Sequence, residues 1–203
     1  MWDVGRATPA WVEVLASDRL PSAGRVLVPG CGRGYDVVAA AAGGHSVVGV
    51  DLSASAVAEV QKLVDAREDA ETRARIELRA GDFFELDLAK ASFDTVWDCT
   101  FLCALPPSMR EAWAARHAEL LKPDGLLVTY VFPLPGYVGR DGKARKSPTA
   151  AEPGPGPPFC LTMELLTGLL VPHGFELQHS ATPSEATPKR EGSEMVAYWR
   201  RAA

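Results

Sequence analysis

The chain has 203 residues, 47% of them hydrophobic and 23% charged, and a formal net charge of −5 at pH 7. This composition is typical of one globular domain. The negative charge argues against a nucleic-acid-binding surface, which is usually basic.

Three further exclusions follow from the order of the residues. No apolar run of about 18 residues, the length that would suggest a membrane span, is present, and no secretory signal is visible at the N-terminus. The four cysteines lack the spacing of a zinc site, so no metal is predicted. We therefore expect a cytoplasmic monomer.

Predicted strands and helices alternate along the chain. Continuous apolar runs such as residues 25–29 and 46–50 are typical of strands buried on both faces of a parallel sheet. Ser53 is placed to cap a helix, and Pro106 precedes another. The predicted strands are residues 25–29, 46–50, 75–79, 93–98, 125–132, 174–178 and 194–199, and helices are predicted at 36–42, after Ser53, after Pro106 and at 162–170.

This alternation predicts a doubly wound α/β domain over residues 1–203. The sheet is expected to have seven strands, mostly parallel, with helices on both faces. The last two strands lack a helical crossover between them, which predicts an antiparallel pair at the sheet edge. Residues 133–158 are rich in Pro and Gly and are expected to form a lid or a flexible loop.

A glycine-rich loop follows the first strand. Gly30, Gly32 and Gly34 let a ligand approach the backbone, and Asp51, roughly 20 residues beyond Gly30, can accept hydrogen bonds from ribose hydroxyls. Tyr35 stands where the dinucleotide fingerprint has its third glycine, which disfavours a pyrophosphate. The loop therefore favours S-adenosylmethionine, which has no phosphate.

A second acid follows the third strand. Asp82 could accept a hydrogen bond from an adenine amino group, with Phe83 packing on the ring. The alternative is that Asp82 caps a turn and that Phe83 and Phe84 belong to the core.

Beyond these features, the chain resembles the thiopurine methyltransferase superfamily, in particular its halide and thiol methyltransferase branch from plants and fungi. The similarity runs from Trp2 to about Trp199. The matching stretches are residues 2–9 (WDVGRATP), 27–32 (LVPGCG), 35–38, 93–105 (FDTVWDCTFLCAL), 109–113, 120–125 and 156–159.

The resemblance implies a Rossmann-like class I methyltransferase that binds S-adenosylmethionine and releases S-adenosylhomocysteine. Trp2 would pack on the cofactor, Gly30 would line its methionine end, Asp51 would hold the ribose, and Asp82 with Phe83 would hold the adenine. The implied cofactor-binding residues are Trp2, Gly30, Cys31, Gly32, Asp51, Leu52, Asp82, Phe83 and Cys99.

Two departures from the family pattern bear on the site. Cys99 stands where many relatives have Tyr, which puts a phenol hydrogen bond to the cofactor in doubt. Relatives also have an N-terminal helix with further tryptophans ahead of the position of Trp2, where this sequence begins. A site without that cover would be expected to bind the cofactor more weakly.

The acceptor pocket is expected at the carboxyl ends of the fourth and fifth strands, where open α/β sheets bind ligands. Arg190 resembles the family's substrate-side arginine and could attract an anion, although a solvated surface position is the alternative. The candidate pocket residues are Phe101, Cys103, Phe132, Tyr137, Phe159 and Arg190.

No general base, nucleophile or other catalytic residue is predicted. The four histidines fall in turns, on a helix surface or in a late strand. A shaped apolar pocket suits a nucleophile that is already ionised, such as a thiolate, hydrosulfide or halide. The sequence therefore favours in-line methyl transfer to a small thiol or halide. The alternatives are a weak or inactive S-adenosylmethionine-binding paralogue and, less favoured, an NAD-dependent oxidoreductase.

Overall fold

Seven strands form a single sheet in the computed structural model, which describes residues 5–138, 142, 144 and 156–202. The strands are β1 (Arg25–Pro29), β2 (Ser46–Asp51), β3 (Ile76–Ala80), β4 (Phe93–Cys99), β5 (Leu121–Val131), β6 (Phe175–Ala181) and β7 (Met195–Arg201). The helices are α1 (Pro9–Ala16), α2 (Tyr35–Ala42), α3 (Ala54–Arg67), α4 (Ala70–Ala74), α5 (Arg110–Leu120) and α6 (Met163–Leu170).

The strand order is β3-β2-β1-β4-β5-β7-β6. Strands β1 to β5 pair in parallel, while β7 runs antiparallel to both of its neighbours. The predicted fold class is therefore confirmed, including the antiparallel edge pair. The chain moves outward from β1 to β3 and then returns to β4 beside β1, so the loops after β1 and β4 diverge. In open α/β sheets such a reversal opens a ligand crevice at the carboxyl ends of the strands.

The two faces of the sheet carry separate apolar clusters. Successive residues of a strand point to opposite faces, so Leu27 packs in one cluster while Val26 and Val28 pack in the other. The second cluster contains the indoles of Trp11 and Trp97, which stack with 4.6 Å between ring centroids. Both indoles are fully buried. Helix α1 is thereby anchored beneath the strand that leads to Cys99.

Three elements differ from the sequence-based expectations, and one of them is the short helix α4, which was not predicted. Helix α1 was not predicted, although Pro9 is favourable at the start of a helix. Strand β5 begins at Leu121 instead of Gly125, because Leu121 pairs with Phe93 before the register shifts and resumes at Leu126 opposite Thr95. Most of the predicted 133–158 loop falls outside the described residues. No helix in the described ranges is both long and apolar enough to cross a bilayer.

Candidate functional site

A cavity of about 470 Å³ opens at the carboxyl ends of β1, β2 and β4. Its wall combines the glycine loop, the end of β2, the end of β4 and a segment preceding α1. The residues on this wall are Arg6, Thr8, Val28, Gly30, Cys31, Gly32, Arg33, Gly34, Tyr35, Asp36, Asp51, Leu52, Cys99, Thr100, Phe101 and Ala104. The cavity thus brings together Gly30, Cys31, Gly32, Asp51, Leu52 and Cys99 from the predicted cofactor set.

The three glycines of the loop are required for different reasons, although all have positive φ. A Cβ on Gly30 would lie 2.7 Å from Phe101 Cδ2, and a Cβ on Gly34 would lie 2.3 Å from Val60 Cγ1 in α3. A Cβ on Gly32 would meet only a carbonyl oxygen at 4.0 Å. Gly30 and Gly34 therefore allow close packing against Phe101 and Val60, whereas the absence of a side chain at Gly32 leaves its backbone accessible to a ligand in the cavity.

Asp51 ends β2 with its carboxylate fixed at the cavity. Its Oδ2 accepts a hydrogen bond from Gly32 N (2.8 Å), and its Oδ1 accepts one from Ser53 N (2.9 Å). A carboxylate oxygen can accept more than one hydrogen bond, so both oxygens retain capacity for the two vicinal hydroxyls of a ribose. The neighbouring Leu52 side chain is 77% exposed, and lies on the cavity rim as an apolar surface. These residues fit the adenosyl part of S-adenosylmethionine.

Asp82 and Phe83 are not among the residues that line the described cavity. Asp82 Oδ1 accepts a hydrogen bond from Phe84 N (2.9 Å), as a turn-capping side chain does. Phe83 is buried and meets Phe101 edge-on, with 5.2 Å between ring centroids. Both residues therefore have the local roles of the alternative interpretation, and their contact with adenine stays a prediction. Trp2 lies outside the described residues.

The cavity wall includes a half-buried acid, Asp36, that the sequence analysis missed. Asp36 Oδ1 accepts a hydrogen bond from Thr8 N (2.7 Å), and Oδ2 accepts from Thr8 Oγ1 (3.0 Å) and Trp97 Nε1 (2.8 Å). Burial raises the pKa of Asp36, and these donors partly offset that rise. The one detectable signal was an acid at the start of an otherwise apolar helix, residues 35–42. Asp36 holds the segment before α1 against the cavity.

The thiols near the cavity are protonated at neutral pH. Burial, reinforced by the charge of Asp51, raises the pKa of Cys31 to about 12. Burial and then Asp36 raise the pKa of Cys99 well above its ordinary value, and burial also raises that of Cys103. Because the thiolate is the reactive form of cysteine, these raised pKa values disfavour a nucleophilic role for the three thiols.

The turn after β4 is strained where it meets the cavity. Thr100 has φ +59°, which is unfavourable for a β-branched residue. Buried Asp98 braces the turn: Oδ1 accepts from Leu102 N (3.2 Å) and Oδ2 from the Trp113 indole (2.7 Å). The turn presents Phe101 to the cavity opposite Gly30.

Of the six candidate acceptor-pocket residues, Phe101 lines the described cavity. Cys103 and Phe159 are buried behind it, where Phe159 N donates to Cys103 O (2.7 Å). Phe132 and Tyr137 pack edge to face, with ring centroids 4.8 Å apart. These four residues are not on the described cavity wall, and their contact with the acceptor stays a prediction.

Arg190 is buried, with 7% of its surface exposed, so it is not a solvated surface residue. Its guanidinium lies over the Phe132 ring (4.3 Å to the centroid), and Nη1 is 3.4 Å from Tyr130 Oη. Within the described part of the chain no carboxylate pairs with it, because Glu194 binds Tyr130 Oη and Thr187 N instead.

Arg190 acts electrostatically on two cysteines at or near the cavity, Cys99 and Cys103. It lowers the pKa of Cys99 and Cys103, against the larger effect of their burial. None of the four histidines lines the described cavity, and no cluster of metal-ligating residues occurs within the described ranges.

Comparison with known proteins agrees with this geometry. Residues 1–137 match the family described as thiopurine S-methyltransferase. The chain is 36% identical over 200 residues to thiocyanate methyltransferase 1 of Arabidopsis thaliana, covering 98% of this chain and 79% of that protein. It is 35% identical to a probable thiol methyltransferase 2 of the same plant, covering 100% of this chain and 80% of that protein.

Solved structures show the same fold. One is a 1,6-didemethyltoxoflavin N1-methyltransferase from Burkholderia thailandensis with bound S-adenosylhomocysteine, which superposes with a TM-score of 0.71 at 26% identity over 96% of this chain and 77% of that one. The glycopeptide N-methyltransferase MtfA superposes with a TM-score of 0.74 at 21% identity, covering 99% of this chain and 93% of that one. The glycine loop, the acid at the end of β2, the sheet order and the family match lead to one conclusion: the chain belongs to the thiopurine S-methyltransferase family and is an S-adenosylmethionine-dependent methyltransferase.

Proposed function

We propose that the chain transfers the methyl group of S-adenosylmethionine to a small, soft anion, a thiolate or hydrosulfide in the first place and a halide in the second. The observation that carries this proposal is the buried guanidinium of Arg190. It lies behind the cavity wall without a carboxylate partner among the described residues. A buried cation is costly unless an anion compensates its charge, and an anionic acceptor would do so.

The lack of a base on the described cavity wall supports the same class of acceptor. Asp36 and Asp51 are the acids there, and both carboxylates already accept hydrogen bonds from the protein. A neutral amine or alcohol would have to lose a proton at some stage of the transfer. A thiolate or halide needs no deprotonation by the enzyme.

The bound cofactor supplies a methyl group on a sulfonium, whose positive charge is lost on transfer. The protein's contribution is to align the acceptor with that methyl group and to exclude water. Phe101 provides an apolar surface at the cavity, and the Phe132 ring packs against the guanidinium of Arg190. Arg190 would draw the acceptor inward by its charge. The names of the two plant relatives, a thiocyanate and a thiol methyltransferase, support this acceptor class.

The test is a screen of iodide, thiocyanate, hydrosulfide and thiophenol, with S-adenosylhomocysteine formation as the readout. We expect turnover with at least hydrosulfide or thiophenol, and a rise in KM for the acceptor in Arg190→Met. The control is Arg190→Lys, which keeps the charge but loses the planar guanidinium. If none of these acceptors is methylated at millimolar concentration, although S-adenosylhomocysteine binds, the proposal is wrong and a weak or inactive paralogue is favoured.

A further inference from the structure

Arg6 is a charged residue of the cavity wall with no role in the site described so far. Its guanidinium pairs with Glu185 in the loop between β6 and β7, with 2.8 Å between Nη2 and Oε1. The Arg6 side chain is 57% exposed and that of Glu185 is 64% exposed. An ion pair this exposed contributes little stability, so it can be exchanged for another anion at small cost.

The backbone near Arg6 is nevertheless held firmly. Two residues further on, Thr8 donates two hydrogen bonds to half-buried Asp36. In α1, Glu13 accepts hydrogen bonds from Ser184 N (2.8 Å) and Ser184 Oγ (2.7 Å), in the same loop as Glu185. The Arg6 side chain can therefore change its partner, while the neighbouring backbone is held in place at the cavity by these hydrogen bonds.

The position of Arg6 relative to the ends of the cofactor follows from the sheet order. β1 lies between β2 and β4, so Asp51 and Cys99 end strands on opposite sides of the glycine loop. Strands two places apart are about 10 Å apart, which is the scale of an adenosyl amino acid. Asp51 suits the ribose, so the methionine end extends toward Cys99 and Thr8, whose side chains are 3.5 Å apart (Sγ to Oγ1).

The methionine end of the cofactor carries a carboxylate. Asp36 is the acid at that end of the described cavity, and Arg6 is two residues from Thr8. Arg33, the other cavity-lining arginine in the described residues, belongs to the glycine loop and acts electrostatically on Glu59. We propose that Arg6 binds the carboxylate of S-adenosylmethionine and that its ion pair with Glu185 breaks when it does so. Glu185 therefore competes with the cofactor for the same guanidinium.

The test measures binding of S-adenosylhomocysteine and of its decarboxylated form by titration calorimetry, without acceptor or turnover. Its outcome is thus independent of which nucleophile is methylated. Wild-type protein should prefer the carboxylated ligand by about ten-fold or more, the range of a hydrogen bond to a charged group. In Arg6→Gln this preference should fall close to one, while binding of the decarboxylated ligand changes little.

Two further variants separate this role from general damage. Glu185→Gln should strengthen binding of the carboxylated ligand by about two- to five-fold, because an exposed competing ion pair is removed. Arg33→Gln is the matched control on the same cavity, and it should keep the wild-type preference. A preference that persists in Arg6→Gln, or that is lost in Arg33→Gln instead, overturns the proposal. So does weaker binding of the carboxylated ligand in Glu185→Gln.

Discussion

The ring of Phe101 occupies the space that a side chain at Gly30 would need, since a Cβ there would lie 2.7 Å from Phe101 Cδ2. Gly30 also has φ +62°, a conformation that costs other residues roughly 1 kcal/mol. The first turn of the cofactor loop and the strained turn after β4 therefore fit together only with glycine at this position.

This contact predicts the effect of Gly30→Ala. Clash and backbone strain together should lower the free energy of unfolding by about 2–4 kcal/mol and weaken S-adenosylhomocysteine binding. Denaturant unfolding and calorimetry measure the two effects. Gly44→Ala is the control, because Gly44 also has positive φ but a Cβ added there would have no neighbour within 4 Å. Equal losses of stability in the two variants would contradict a role for the Phe101 contact.

Asp51→Asn tests the ribose position. Asn keeps one acceptor but loses the charge, and its amide would face the Gly32 or Ser53 N–H group. We expect S-adenosylhomocysteine affinity to fall about 10- to 100-fold, as for loss of hydrogen bonds to a charged group. Asp82→Asn provides the comparison, since Asp82 lies off the described cavity wall. An Asp82→Asn loss as large as that of Asp51→Asn would instead support the predicted adenine contact.

The pH dependence of turnover follows from the absence of a base on the described cavity wall. With a simple thiol, kcat/KM should rise with pH up to the acceptor's own pKa, about 8.5 for an unperturbed alkyl thiol. With iodide, which carries no proton, the same parameter should stay flat over the same range. Parallel profiles for both acceptors, with one shared pKa, would reveal a titrating enzyme group and contradict the proposed chemistry.

His117 should make the fold less stable in acid. It is fully buried in α5, so the expectation of a position on the helix surface was wrong. Its Nε2 lies 3.7 Å from Asp98 Oδ2, beyond hydrogen-bonding distance. Burial lowers its pKa, an effect that outweighs the opposing influence of Asp98. The unfolded chain therefore binds the proton more readily, and the contribution to stability is complete above about pH 6.5 and is lost as the pH falls below that value.

The measurement is the free energy of unfolding of wild type and His117→Gln between pH 5 and pH 8. The wild type should lose more stability than the variant below about pH 6.5, and the two curves should run parallel above it. His45, whose pKa burial also lowers, stays present in both proteins and cancels in the difference. Parallel curves over the whole range would contradict a buried neutral His117.

Several features of the site could be predicted because they depend on short stretches of chain. Residues 25–51 contain the first strand, the glycine turn and the acid that ends the next strand. The turn needs positive φ angles, which glycine adopts without steric cost. Apolar runs that alternate with helices likewise predicted the sheet, and the missing helical crossover between the last two strands predicted its antiparallel edge. Similarity of residues 2–9 to a family indicated that the N-terminal segment matters, without showing how.

Only the tertiary structure shows the partners and the burial of the charged residues, because these depend on residues far apart in the chain. Arg6 meets Glu185 across 179 positions, and Thr8 meets Asp36 across 28. The burial of Arg190 depends on Phe132 and Tyr130 from β5 and the end of that strand. Sequence patterns report the local period of a segment and the face it buries, whereas the partner of a charge is set by how the packed elements converge. The amino-acid order therefore determined the cofactor loop, and folding determined which charges surround it.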